Sequence, residues 1–141
     1  NFGAILYQLP PSLPIDLPLL ENFLKILPEN LDQSIEFRHP SWLVPETFSL
    51  LKKFNTAYCI ISMPEFPQII EITSNISYVR FHGRETLYGS SYSDEELKRW
   101  ANQIRDFPKQ GVQRVYIYFN NDYNAYAVFN ALKLREFIQN T

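Results

Sequence analysis

The sequence contains little cysteine, little glycine and no long hydrophobic run, and each shortage excludes a class of protein. Its 141 residues include one cysteine, Cys59, so no disulfide can form within the chain, which favours a cytoplasmic location. The four glycines are too scattered for a P-loop or Rossmann fingerprint. No apolar run is long enough to cross a bilayer. The net charge of −2 argues against a membrane-surface protein and makes nucleic acid an unlikely partner, although a local basic pocket stays possible.

The residues that are abundant are those of a folded domain. Hydrophobic residues make up 45% of the chain and aromatic residues 16%, with eleven Phe and nine Tyr. A chain of this length can bury a real core as one domain, residues 1–141. Neither an internal repeat nor a low-complexity linker divides it.

Strand-like and helix-like segments alternate along the chain. Short β-favouring runs predict five strands, at 3–9, 34–38, 57–62, 77–82 and 112–119. Helical spacing predicts helices at about 17–27, within 42–54, after the capping box that begins at Ser93, and at about 123–138, where Val128, Ala131, Leu132 and Leu134 are apolar positions. Repeated β-α-β units favour an α/β fold with a parallel sheet.

Polar residues collect where most of these strands end. Side chains alternate between the faces of a strand, so Glu36 and Arg38 share one face, as do Arg80 and His82. Gln8 ends the first strand, and Asn120, with the parity of Tyr118, follows the fifth; the third strand has a bland ending, Ser62-Met63-Pro64. Ligand sites of parallel α/β sheets form at these carboxyl ends, so the pattern predicts a site there.

Each candidate residue has a structural and a functional interpretation. Glu36 and Arg38 form either a structural ion pair or a general acid/base with an anion-binding partner. Arg80 and Arg84 suit bidentate binding of a phosphate or carboxylate, and His82 either transfers a proton or fixes the loop before Gly83. Asn120 is either a turn or capping residue or, with Tyr118 on the same face, binds a ligand hydroxyl or amide, and Gln8 would add a hydrogen bond. His39 is expected to anchor its loop. No metal signature and no cofactor motif is present.

Four motifs in order resemble the domain-of-unknown-function 72 family, also called YecE-like. They are residues 3–11 (GAILYQLPP), 36–42 (EFRHPSW), 78–84 (YVRFHGR) and 118–122 (YFNND). The resemblance implies a TIM-like β/α barrel, of which this chain would be a partial barrel of about five parallel strands. Family members are longer, and their amino-terminal motifs have no counterpart here. We therefore expect the carboxyl-terminal part of a larger barrel, which either needs the missing strands or self-associates.

The resemblance implies a fold and a site but no reaction. The leading hypothesis is an enzyme acting on a small anionic or sugar-like molecule, with Glu36 or His82 as catalytic acid/base. Arg38, Arg80 and Arg84 would hold the anion. The alternatives are a non-catalytic ligand-binding or regulatory barrel and, third, a nucleic-acid-processing protein.

Overall fold

Five parallel strands form a single curved sheet in the computed structural model, which describes residues 3–140. The strands are β1 (Ile5–Gln8), β2 (Gln33–Glu36), β3 (Ala57–Ser62), β4 (Ile76–Phe81) and β5 (Arg114–Phe119), and they pair in chain order. The α-helices are α1 (Leu17–Lys25), α2 (Pro45–Lys53), α3 (Asp94–Asp106) and α4 (Tyr126–Gln139). Short 3₁₀ turns span Pro40–Trp42, Phe107–Gln110 and Tyr123–Ala125.

Local sequence signals set where the helices begin. The Asp16 carboxylate accepts from the backbone N–H of Leu19 at 2.9 Å and caps α1. Pro45 begins α2, at a position where the missing N–H costs nothing. Ser93 and Glu96 form the predicted capping box of α3.

The outer face of the sheet carries the main core. Ile35, Tyr58, Val79 and Phe81 point outward on β2, β3 and β4, and with Phe37, just after β2, they are buried against the helices. Aromatic rings pair closely here; Phe37 stacks on Trp42 with ring centroids 4.8 Å apart. Burying one such side chain stabilises the fold by about 1.5–3 kcal/mol. The helices are therefore held to one side of the sheet, and the other side is left for the barrel interior.

The inner face is narrower and is bridged by polar contacts. Cys59, Ile61 and Tyr78 form a small second apolar cluster on it. Asp32, just before β2, accepts from Arg114 Nη2 at 2.9 Å and from the Tyr116 hydroxyl at 2.7 Å. Because Arg114 and Tyr116 lie on β5, these contacts cross the inner face and link β5 to the start of β2. The five strands thus form a half-barrel.

The predicted architecture is confirmed, with local shifts of boundary. All five strands and their parallel order are present, and the buried stripe of α3 is Leu97, Trp100, Ala101 and Ile104. Of the apolar positions in the last helix, Leu134 is buried, and Val128, Ala131 and Leu132 are exposed. The buried side of this helix is formed by Ala127, Asn130 and Leu134. Within residues 3–140, no helix has the length and apolar character needed to span a membrane.

Candidate functional site

Glu36 is the centre of a buried polar cluster at the carboxyl ends of the strands. It ends β2 on the inner face and is fully buried. Its Oε1 accepts from Arg38 Nε, and its Oε2 accepts from Arg80 Nη1 at 2.7 Å. A buried carboxylate needs such charge-assisted partners, because desolvation strongly penalises an unpaired charge. Glu36 therefore fixes the positions of two guanidinium groups.

Arg80 links this carboxylate to the end of β5. Its Nε and Nη2 both donate to Asn120 Oδ1, at 3.1 and 2.9 Å. Asn120 is placed by its own backbone N–H, which donates to the Phe81 carbonyl at 2.7 Å and continues the β4–β5 ladder by one residue. The Arg80 side chain is 16% exposed. All three guanidinium nitrogens donate hydrogen bonds, so Asn120 and Glu36 together fix the position of the guanidinium group.

Arg38 has weaker partners on its outer edge. Besides Glu36, its Nη1 donates to the Met63 thioether at 3.4 Å and its Nη2 to His82 Nε2 at 3.3 Å. A thioether is a weak acceptor. The side chain is 11% exposed. Arg38 therefore presents one guanidinium edge that no carboxylate occupies among the described residues.

His82 is held in one tautomer. Because a guanidinium can only donate, Nε2 must be unprotonated, and the neutral ring carries its hydrogen on Nδ1. That Nδ1 is buried and has no partner among the described residues. Burial first, then the charges of Arg80 and Arg38, lower the pKa of His82 to about 4, although Glu36 opposes the shift. His82 is therefore a neutral group at pH 7.

The loop from Gly83 to Tyr92 is anchored beside His82 by a buried network. The Tyr92 hydroxyl donates to Ser62 Oγ at 2.9 Å and accepts from the Gly83 N–H at 3.1 Å. Asn130 on α4 accepts from the Tyr92 N–H at 3.1 Å through Oδ1 and from Asn121 Nδ2 at 2.9 Å. Burial raises the pKa of Tyr92 to about 12, so its hydroxyl keeps its proton for this role.

The structure brings together five of the eight residues predicted for the site: Glu36, Arg38, Arg80, His82 and Asn120. Arg84 is half-exposed and pairs with Glu96 at 3.2 Å instead. With Ser62 and Met63 it lines a cavity of about 430 Å³ at the end of β3. Gln8 is exposed on β1, in register with Glu36. Tyr118 is 42% exposed and stacks on Tyr78 with centroids 5.0 Å apart.

Two groups at the site were missed by the sequence reasoning. Cys59 on β3 lies between the charged strands, and its thiol donates to Glu36 Oε2 at 3.6 Å. Met63 belongs to the strand ending that reads as bland, yet its sulfur contacts Arg38. The alternation of side chains along β3 could have indicated Cys59, because it places Cys59 on the inner face beside Glu36 of the neighbouring strand. His39 behaves as expected: its Nδ1 accepts from the Ser41 N–H at 3.2 Å and caps the turn.

The arrangement has one positive charge in excess. Arg38 and Arg80 share a single carboxylate as ion-pair partner within the described residues, and His82 is neutral. Across residues 3–140, no group of three or more His, Cys, Asp or Glu side chains is placed to hold a metal ion. A nearly buried cluster of this kind can bind a small anion, and Asn120 and the His82 Nδ1–H offer neutral polar groups beside it.

Comparisons with known proteins agree on one family. The model of the family described as "Protein of unknown function DUF72" matches residues 1–141. A solved DUF72 family structure from Thermotoga maritima is 29% identical, with a TM-score of 0.86, over 97% of this chain and 58% of that one. Two structures of a DUF72 family protein from Enterococcus faecalis are 20% and 22% identical, with TM-scores of 0.83 and 0.79. Each of these matches includes 98% of this chain and covers 59% and 61%, respectively, of the solved chain. No curated protein matches.

Proposed function

This chain belongs to the DUF72 family of unknown function, and we propose that its half-barrel carries a binding site for a small anionic molecule at the carboxyl ends of the strands. The observation that supports the proposal is the shared carboxylate: Arg38 and Arg80 converge on Glu36 from two different strands. Here the second guanidinium has no carboxylate of its own, so a ligand anion would complete the charge balance.

The ligand would enter beside Arg38. Its Nη1 and Nη2 donate only to a thioether and an imidazole nitrogen, and a carboxylate or phosphate oxygen is a much stronger acceptor for both. Met63, one of these two partners, also lines the cavity at the end of β3. Asn120 and Gln8 are candidates for hydrogen bonds to ligand hydroxyls, as a sugar-like molecule would require. Arg84, on the wall of the same cavity, and Tyr118 would contact more distant parts of the ligand.

Glu36 and His82 are the candidate acid/base groups if the site is catalytic. In the described geometry both Glu36 oxygens accept from guanidiniums, and the His82 Nε2 accepts from Arg38. This arrangement favours a ligand-orienting role for both residues. A non-catalytic ligand-binding barrel is therefore the reading that the geometry supports best, with an enzyme as the second candidate.

A thermal-shift screen distinguishes the ligand-binding barrel from the enzyme, and it can also contradict the anion site that both require. A panel of small anionic metabolites and sugar acids would be screened by thermal shift against the wild type and Arg38→Gln. The proposal expects ligands that stabilise the wild type and lose that effect in the variant. Turnover of such a ligand that is lost in Glu36→Gln while binding is retained would identify an enzyme. A panel with no wild-type-specific ligand would contradict the proposal.

The chain spans about 60% of the length of the solved relatives it matches. We propose that further strands, in the same chain or in a second copy, complete the barrel around the open inner face. The single buried cysteine also favours a cytoplasmic location for the protein. Cell fractionation would test the location independently of the binding site.

A further inference from the structure

The charge and geometry of the cluster restrict the kind of anion it can take. We propose that the ligand carries a single negative charge in its head group, as an organic carboxylate does, and that a doubly charged phosphate is excluded. This inference rests on the proposed anion site and deepens it.

The first argument is the charge balance. Glu36 is fully buried, and Arg38 and Arg80 are 11% and 16% exposed, so water screens these charges weakly. One carboxylate between two guanidiniums leaves an excess of one positive charge. A monoanion neutralises that excess, whereas a dianion would leave an uncompensated negative charge beside the Glu36 carboxylate. Uncompensated charge in a desolvated site is strongly unfavourable.

The second argument is that the surroundings supply no further positive charge. Among the described residues, His82 is the further base that contacts the cluster, and burial, followed by the charges of Arg80 and Arg38, lowers its pKa to about 4, so it is neutral at pH 7. Arg84, the next arginine along the chain, is paired with Glu96 on α3. A dianion at Arg38 would therefore find no cation beyond Arg38 and Arg80 to balance its second charge in the part of the chain described.

The third argument is the shape of the Arg38 edge that faces Met63 and His82. Its Nη1 and Nη2 groups are the two ends of one planar guanidinium, and such parallel donors match two oxygens of one head group, in a carboxylate or a phosphate alike. The edge therefore selects a two-oxygen acceptor, and the charge balance selects the monoanion. The buried Nδ1–H of His82 has no acceptor among the described residues. A ligand oxygen, or a water held by the ligand, would satisfy this donor.

The test is a titration of the full chain with simple anions at constant ionic strength. The probes are sodium benzoate, sodium acetate and sodium phosphate, with chloride as the background, and the readout is the NMR signals of the arginine Nε–H groups. We expect saturable shifts with the carboxylates and at least tenfold weaker binding of phosphate at pH 8. Phosphate binding should weaken as the pH is raised from 6 to 8, because phosphate becomes a dianion over that range.

Two variants make the test specific to the cluster. Arg38→Gln removes the excess charge and should weaken carboxylate binding at least tenfold. Glu36→Gln raises the excess to two charges and should shift the preference toward phosphate at pH 8. Arg99→Gln, an exposed position on α3, is the matched control and should bind like the wild type.

The outcomes distinguish this inference from the proposed function. Tighter binding of phosphate at pH 8 than of either carboxylate would overturn the monoanion inference and leave the anion site standing. The absence of any saturable arginine shift would overturn both. Carboxylate binding that survives Arg38→Gln unchanged would place the anion elsewhere and would also overturn both. These measurements decide the inference even if Glu36→Gln fails to fold.

Discussion

Arg80 reaches across an entire strand to bond Glu36. The two residues lie on β4 and β2, with β3 between them, and Arg80 Nη1 donates to Glu36 Oε2 at 2.7 Å. The contact is possible because β3 presents the small side chain of Cys59 at this level, with its sulfur 3.6 Å from the same oxygen. A larger residue on β3 would separate the charges.

Breaking this pair should cost more than breaking a surface pair. Arg80→Met leaves Glu36 Oε2 buried without its donor and Asn120 Oδ1 without its donors, while Arg38 still balances the Glu36 charge, and we expect a loss of about 1–3 kcal/mol in the free energy of unfolding. The control is Lys52→Met, which breaks the exposed Lys52–Glu71 pair of 2.6 Å and should cost less than about 1 kcal/mol. Urea unfolding at one fixed protein concentration measures both. Equal losses in the two variants would contradict the buried role of the pair.

Acidification should destabilise the protein through His82. Its pKa is about 4 in the folded state and about 6.5 when unfolded, so the unfolded chain binds a proton first as the pH falls. The stability contributed by the neutral imidazole is fully present above pH 6.5 and is lost progressively as the pH falls towards 4. His82→Gln should show a flatter dependence in urea unfolding between pH 7.5 and 4.5. An unchanged slope in His82→Gln would refute the assignment.

The buried thiol should be unreactive in the folded protein. Cys59 is fully buried, and burial together with the neighbouring Glu36 carboxylate raises the pKa of its thiol. Because the thiolate is the reactive form, we expect a chromogenic disulfide reagent to modify Cys59 at least a hundredfold more slowly in buffer than in denaturing urea. Since there is one cysteine, a single absorbance trace reports on this site. Fast, complete modification of the native chain would contradict the described burial.

Alternation along the strands was enough to predict most of the cluster. Glu36 and Arg38, and likewise Arg80 and His82, share the inner face because the extended backbone persists through the strand ends. The rule fails at Arg84, because Gly83 adopts a φ of +93° and ends the extended backbone before it. Arg84 therefore pairs with α3 rather than with the cluster.

Contacts between distant segments could not be read from the pattern. Met63 follows β3, and its approach to Arg38 depends on how the loop after β3 turns over the sheet. In α4, apolar residues occur on several sides, so periodicity gave no clear buried face. Packing against α3 and β5 selects Ala127 and Leu134, with Asn130 between them, and leaves Val128 and Leu132 exposed.

The exposed apolar side of α4 predicts self-association. Val128, Phe129 and Leu132 are 59%, 65% and 49% exposed, and β1 and β5 each have one neighbour within the described sheet. Apolar patches and open strand edges promote association. Light scattering behind size exclusion should give a mass above 16.6 kDa at tens of micromolar, reduced in Phe129→Lys. A monomeric chain of 16.6 kDa that unfolds cooperatively would defeat this prediction.

Asn130 should control the loop beside His82 from a different element. It is 5% exposed on α4, and its Nδ2 donates to the Tyr92 carbonyl at 3.2 Å while its Oδ1 accepts from the Tyr92 N–H. Asn130→Ala leaves these backbone groups buried without partners, which costs about 1–3 kcal/mol. Amide exchange in residues 83–92 should accelerate at least tenfold, and more than in α1, because the loop loses its anchor to α4. Gln139→Ala, an exposed change on the same helix, should leave that exchange unaltered. If Asn130→Ala instead accelerated exchange equally in all elements, Asn130 would stabilise the fold as a whole and would not be a local anchor of the site.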